Sequence, residues 1–176
     1  MAGYETTATS MNGIAYYLLK HPDALEKVKH EVRSTFKSAE DITITSVSRL
    51  PYMLACINEA MRLYPSVPGS MVRAMRKGGG NIAGHYVPEG TLIECQQWSM
   101  NHSSTHWVDP WKFRPERYLN SSEKSRDHRD AFEPFNVGPR DCAGRGCVTC
   151  AIISDNVNAL LTKINLVWHM PRCDLS

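Results

Sequence analysis

Apolar positions recur at helical spacing in several stretches of the chain, separated by polar and proline-bearing segments. Over residues 1–20, Met11, Ile14, Tyr17 and Leu18 form one stripe and predict a helix. No N-cap residue precedes it, so the chain opens as if already inside an element. His21-Pro22-Asp23 interrupts this pattern and starts a second helix, with Pro22 suited to a first turn and Asp23 favourable beside the N-terminal dipole. Leu25, Val28, Val32 and Phe36 give it one apolar face. Residues 37–48 are polar and turn-rich and predict a loop. A third helix is predicted over residues 50–63, started by Pro51, with Leu50, Met53, Leu54, Ile57, Ala60, Met61 and Tyr64 in its stripe.

After residue 63 the texture changes. Short β-prone runs over residues 82–95 flank Pro88-Glu89-Gly90, which predicts a hairpin turning there. Residues 98–120 read as irregular, because Asp109-Pro110 and Arg114-Pro115 break any longer helix. Residues 121–129 read as a charged, exposed loop. A glycine- and proline-containing loop follows over residues 132–144, then a helix over 147–163 faced by Thr149, Ile153, Val157, Leu160, Leu161 and Ile164, and β character over 164–170. The fold class is mainly α with small β-hairpins.

Composition adds limits. A chain of 176 residues with 42% hydrophobic and 22% charged residues can bury one ordinary globular core. A net charge of +2 without a dense Lys/Arg run argues against nucleic acid as a partner. Six unevenly spaced cysteines do not make a disulfide-dense scaffold. No apolar run reaches membrane-spanning length. Gly78-Gly79-Gly80 lacks the following Gly-Lys-Ser/Thr of a phosphate loop. The spacing of His102 and His106 would suit metal ligands, but lone loop histidines are usually just solvated.

The chemistry concentrates in Phe135-Asn-Val-Gly-Pro-Arg-Asp-Cys-Ala-Gly144. A cysteine just before a helix lies among unpaired N–H groups at the positive end of the dipole, an environment that favours thiolate, the metal-binding form. Arg140 adds a positive charge, and Gly138 and Gly144 let the backbone approach something flat or bulky. Three readings of the cysteines compete. Cys142-x4-Cys147-x2-Cys150 with a later Cys173 fits a plant-type iron–sulfur spacing. That reading puts Cys147 and Cys150 on a predicted helix and leaves Phe135, Gly138 and Arg140 without a purpose. A zinc site lacks a standard second pair. Metal ligation by Cys142 alone, with Cys147 and Cys150 as small packed residues, accounts for more of the loop.

The spacing F-x-x-G-x-R-x-C-x-G resembles the haem-ligand loop of the cytochrome P450 family, and three other motifs follow in family order. Ala2-Gly-x-Glu5-Thr6-Thr7 resembles that family's kinked central helix. Glu59-x-x-Arg62, followed by Leu63-Tyr64-Pro65, resembles its E-x-x-R helix, and Pro115-Glu-Arg117-Tyr118 its P-E-R-F segment. At about 100° per residue Glu59 and Arg62 lie within about 60° of each other, away from the apolar stripe. Residues alone leave a solvated pair worth about 0.2–0.5 kcal/mol as one reading. The resemblance implies instead a buried network of Glu59, Arg62 and Arg117 that holds the cysteine loop.

The resemblance further implies haem b with Cys142 as its axial ligand, Phe135, Gly138, Arg140, Arg73 and Gly144 around it, and Arg140 and Arg73 on the propionates. It assigns proton management at bound oxygen to Glu5 and Thr6. The implied reaction inserts one oxygen atom into a small, lipophilic or secondary-metabolite substrate, with electrons from an NADPH-dependent flavoprotein reductase, at the cytoplasmic face of the endoplasmic reticulum membrane. The phrasing of Gly84-His-Tyr-Val-Pro88 and of the cysteine loop looks most like fungal secondary-metabolism members.

Departures temper this. Complete members are more than twice as long, and the membrane anchor and most of the substrate pocket are missing. Ala151 and Ile153 stand near positions usually acidic and basic. The chain therefore reads as the C-terminal portion of that fold, from the central oxygen-binding helix onward: a fragment, a truncated gene model or a decayed gene. The alternative to a monooxygenase is a non-catalytic remnant with weak or no haem binding.

Overall fold

The computed structural model describes residues 2–38, 41–47, 49–69, 71–119 and 126–146. The helix expected over 147–163, the β segment over 164–170, and Cys147, Cys150 and Cys173 lie outside the described residues.

Helix α1 spans Ala2–Lys20 and α2 spans Pro22–Thr35, broken apart where Pro22 can donate no N–H. His21 closes the junction, its Nδ1–H donating to the Tyr17 carbonyl at 2.8 Å while its ring packs against Phe113. A short helix, α3 (Ile44–Val47), interrupts the segment expected to be loop. Ser46 organises its start, accepting the Thr43 N–H at 2.7 Å and donating to the Asp41 carbonyl at 2.9 Å. Helix α4 spans Pro51–Leu63. The core sits where these helices meet: Ile14 and Leu18 of α1, Val28 and Val32 of α2, Val47 of α3, and Met53, Ile57 and Ala60 of α4 are buried, with Phe36 and Leu50 from the connections.

No local side chain caps the start of α4, where Leu50 stands at the N-cap and Pro51 begins the first turn. The orphan donors are met from another helix. Glu31 of α2 accepts the Tyr52 N–H through Oε1 and the Met53 N–H through Oε2, both at 2.8 Å. A carboxylate at a helix N-terminus also meets the positive end of its dipole. Next to this contact, Glu116 Oε1 accepts from Lys27 Nζ at 2.9 Å and from the Tyr52 hydroxyl at 3.0 Å.

Beyond α4 come two two-stranded antiparallel ladders. Strand β1 (Arg73–Ala74) pairs with β4 (Leu92–Ile93), and β2 (Gly80–Ile82) with β3 (His85–Val87). The hairpin turn falls at Ala83-Gly84, not at Pro88-Glu89-Gly90. Both turn residues have positive φ, 49° and 87°, and such turns carry the twist that two-residue hairpins require. Pro88–Gly90 does turn, but it leads β3 to β4, whose partner is β1.

Residues 98–120 are also more ordered than their prolines suggested. Helix α5 (Gln97–His102) and a 3-10 turn over Pro115–Tyr118 flank the Asp109-Pro110 break. His102 is buried, stacked between Trp98 and Trp111 with centroids 4.0 and 4.3 Å away. Its Nδ1–H donates to the Trp98 carbonyl at 2.9 Å. It is no solvated loop histidine, and no group of three potential ligands gathers for a metal among the described residues. No helix there is long and apolar enough to cross a membrane.

Two outcomes follow. Glu31→Ala leaves the Tyr52 and Met53 donors without their acceptors and should lower the unfolding free energy by about 1–2 kcal/mol, read by urea titration. Burial holds the His102 imidazole below its ordinary 6.5, so the unfolded chain takes up its proton first. Stability is therefore complete above that ordinary value and falls as pH drops towards the lowered folded value. His102→Gln should flatten this part of the stability–pH curve.

Candidate functional site

The site rests on an ionic cluster under α4. Glu59 is fully buried and takes four hydrogen bonds. Arg62 donates to it twice, Nε to Oε2 and Nη2 to Oε1, each at 2.9 Å. Arg117 Nε and the Arg114 backbone N–H both reach Oε1 at 3.0 Å. The i,i+3 spacing lets one helix turn present Glu59 and Arg62 together, and the 3-10 turn delivers Arg117 from across the fold. The face opposite the apolar stripe is not solvated. It is roofed by α5 and residues 101–117, so both side chains are 0% exposed.

Arg62 spends its remaining donors on backbone carbonyls: Nη1 on Asn101 at 2.6 Å and Pro110 at 2.7 Å. Asn101 returns a bond from Nδ2 to the Arg62 carbonyl at 3.0 Å. Trp107 is 1% exposed and packs near both guanidiniums, with Arg62 Cζ 5.0 Å and Arg117 Cζ 5.6 Å from its ring centroid. Its indole N–H donates to the Met100 carbonyl at 3.0 Å. Aromatic faces attract guanidinium, and more strongly when desolvated.

Asp127 completes the cluster, although its stretch reads as an exposed loop in the sequence. Its carboxylate is 2% exposed and accepts Arg117 Nη1 at 2.6 Å and the Val108 N–H at 2.6 Å. The reason is charge: two buried guanidiniums against one Glu59 leave a positive excess, which a second carboxylate offsets. Asp127, Trp107 and Asn101 were missed by sequence reasoning. An acid in a charged run and a lone tryptophan carry no periodic signal.

The chain runs from this cluster to Cys142. Gln97 Nε2 of α5 donates to the Glu133 carbonyl at 2.9 Å, and Phe132 and Phe135 pack against the core. The loop then turns back on itself. The Cys142 N–H donates to the Phe135 carbonyl at 2.8 Å, and the Asp141 N–H to the Gly138 carbonyl at 3.1 Å. Gly138 has φ 86°, where a side chain would be strained. Arg145 straps the loop, its Cζ 5.6 Å from the Phe135 ring centroid and Nη2 3.8 Å from Glu133 Oε2.

Cys142 emerges exposed at the end of this loop, whereas burial pushes the Cys56 thiol of α4 well up. Arg140 is exposed beside it in sequence, and Gly144 is half-buried. Asn136 Nδ2 lies 3.7 Å from Met71 Sδ, which brings the loop against the segment holding Arg73, itself exposed on β1. Met71 (63%), Val72 (53%) and Val137 (62%) leave apolar surface uncovered there. Glu5 is exposed near the start of α1, and Thr6 is half-buried. Thr7 donates to the Gly3 carbonyl at 2.6 Å, a bond back along the helix of the kind that bends helices.

An exposed cysteine on a backbone-closed loop and a buried Glu–Arg–Arg cluster thus sit together in a mainly helical fold with small sheets. The chain belongs to the cytochrome P450 family: the model described as Cytochrome P450 matches residues 1–150. This is a family of haem-iron monooxygenases with members in fungal secondary metabolism. The chain is 50% identical over 144 residues to cytochrome P450 monooxygenase tpeC of Talaromyces stipitatus, covering 82% of this chain and 28% of that protein. It is 40% identical over 169 residues to averantin hydroxylase of Dothistroma septosporum, covering 96% and 31%. It is 43% identical over 145 residues to trichothecene C-15 hydroxylase of Fusarium sporotrichioides, covering 82% and 30%. The chain thus spans less than a third of the length of these relatives.

Glu59→Gln removes the charge that holds two buried guanidiniums and should cost about 3–5 kcal/mol of stability, read by denaturant unfolding. Arg62→Lys should also destabilise the fold, since an ammonium cannot make the two parallel bonds to Glu59.

Proposed function

We propose that residues 1–176 carry the thiolate side of a haem monooxygenase that inserts one oxygen atom from dioxygen into a small, lipophilic secondary metabolite. The observation that carries this reading is Cys142, an exposed thiol on a loop closed by its own amide, with exposed Arg140 two residues before it and uncovered apolar side chains where the loop meets the segment holding exposed Arg73. This donor set fits iron protoporphyrin IX. A thiolate suits haem iron, guanidinium forks suit propionate carboxylates, and Met71, Val72 and Val137 offer apolar cover to a macrocycle.

When bound, haem supplies the activation of dioxygen, which side chains alone cannot perform. The chain's own residues do the rest. Cys142 holds the iron and gives it electron density through sulfur. Arg73 and Arg140 would hold the propionates through their guanidinium forks. Phe135 and Gly138 set the height of the loop, and Gly144 lets the backbone pass close. Glu59, Arg62 and Arg117 keep the underlying elements from shifting. Thr6 and Glu5 would hold protons for the bound oxygen, at the hydroxyl and the carboxyl respectively.

In this reading the chain runs from the family's central oxygen-binding helix, α1, through α4 and the cysteine loop into the C-terminal portion of the fold. Electrons come from an NADPH-dependent flavoprotein reductase at the cytoplasmic face of the endoplasmic reticulum membrane. Relatives named as averantin and trichothecene hydroxylases support a secondary-metabolite substrate.

The full chain, reconstituted with haem, reduced and exposed to carbon monoxide, should give a thiolate-type Soret band, and Cys142→Ser should abolish it. Soluble wild-type protein that takes up no haem would sink this reading.

A further inference from the structure

We propose that Asp127 is a positioning residue for Cys142: it neutralises the buried cluster and anchors the segment that delivers the cysteine loop. In its effect on haem this rests on the function proposed above; in its effect on the loop it does not.

The first support is the charge balance. Glu59 alone faces Arg62 and Arg117, all with side chains at most 1% exposed. Asp127, 2% exposed, brings the cluster to two negative and two positive charges. The second is connectivity. Oδ2 accepts from Arg117 while Oδ1 accepts the Val108 N–H, so one carboxylate ties residues 108, 117 and 127 together. Val108 also offers its carbonyl to Arg117 Nη1 and Nη2 at 3.3 Å, so the clamp closes on itself.

The third is direction. Immediately after Asp127, the His128 N–H donates to the His106 carbonyl at 2.7 Å. A 3-10 turn over Arg129–Ala131 follows, then Phe132, whose ring meets Trp107 edge-on at 6.4 Å. From Phe132 the chain needs only the Phe135 carbonyl to reach the Cys142 amide. Asp127 is thus the point at which the ionic cluster grips the strand of chain that ends in the cysteine. Glu59, Arg62 and Arg117 grip other segments.

The test uses the full chain as wild type and Asp127→Asn, which keeps shape and an acceptor for Val108 but not the charge. In haem-free protein, peptide mapping after brief alkylation gives the rate at Cys142 relative to Cys95, another exposed thiol that serves as an internal control. Asp127→Asn should change this ratio while far-UV helix content holds. In haem-loaded protein, the fraction of thiolate-type carbon monoxide complex should fall and haem should leave about tenfold faster. Should Asp127→Asn be recovered only as aggregate, Asp127→Glu carries the test. It keeps the charge but displaces the carboxylate, and the alkylation ratio should move in the same direction. Wild-type values in both readouts for a folded variant overturn the proposal. If wild type takes up no haem yet the ratio still moves in Asp127→Asn, the positioning role stands and the haem reading falls.

Discussion

A carboxylate with no access to water is the constraint on which this fold depends. Burying the Glu59 carboxylate requires partners for its oxygens, and its four hydrogen bonds come from α4 itself, the backbone at residue 114 and the 3-10 turn carrying Arg117. Each donor therefore has to arrive from its own part of the chain. A buried pair of this kind adds little net stability compared with an apolar replacement, but its partial loss is severe. That asymmetry makes it a device for holding elements in register. Arg62 extends the same logic outward, since its spare N–H groups satisfy carbonyls at residues 101 and 110 that would otherwise be buried and unpaired.

The helical core and the ionic cluster occupy opposite faces of α4. On one face α1 and α2 bury Ile14, Leu18, Val28 and Val32 against Met53 and Ile57. Glu31 adds a polar fastening there by capping α4 from α2. On the other face, Trp107 and its two guanidiniums replace an apolar core with a polar one whose charges are paired, although Asn101 Oδ1 is buried without a partner among the described residues. Cys142 stands one step further out, exposed, on a loop whose shape is set by main-chain bonds and by Gly138. A rigid buried layer beneath an exposed ligand suits a site that must present one atom at a fixed height while leaving room for a large group.

The E-x-x-R spacing, the proline-led starts of α2 and α4, and the F-x-x-G-x-R-x-C-x-G loop were legible because each depends on neighbours within a few residues. The hairpin was misplaced because Pro88-Glu89-Gly90 has stronger turn composition than Ala83-Gly84, and composition says nothing about which strands pair. Likewise α5 was hidden among aromatic and polar residues whose pattern has no clear period, and His102 was taken for a loop residue when two tryptophans bury it.

By itself the sequence determined α1, α2 and α4, their apolar stripes and the residue types of the cysteine loop, since these follow from local spacing and backbone preference. Only the tertiary structure decided that Glu59 and Arg62 are sealed from water, that Glu31 caps a helix other than its own, and that Asp127 belongs to the cluster rather than to solvent. The physical reason is that burial and charge balance are properties of several distant segments at once. An acid in a charged run looks the same in sequence whether water or two guanidiniums await it.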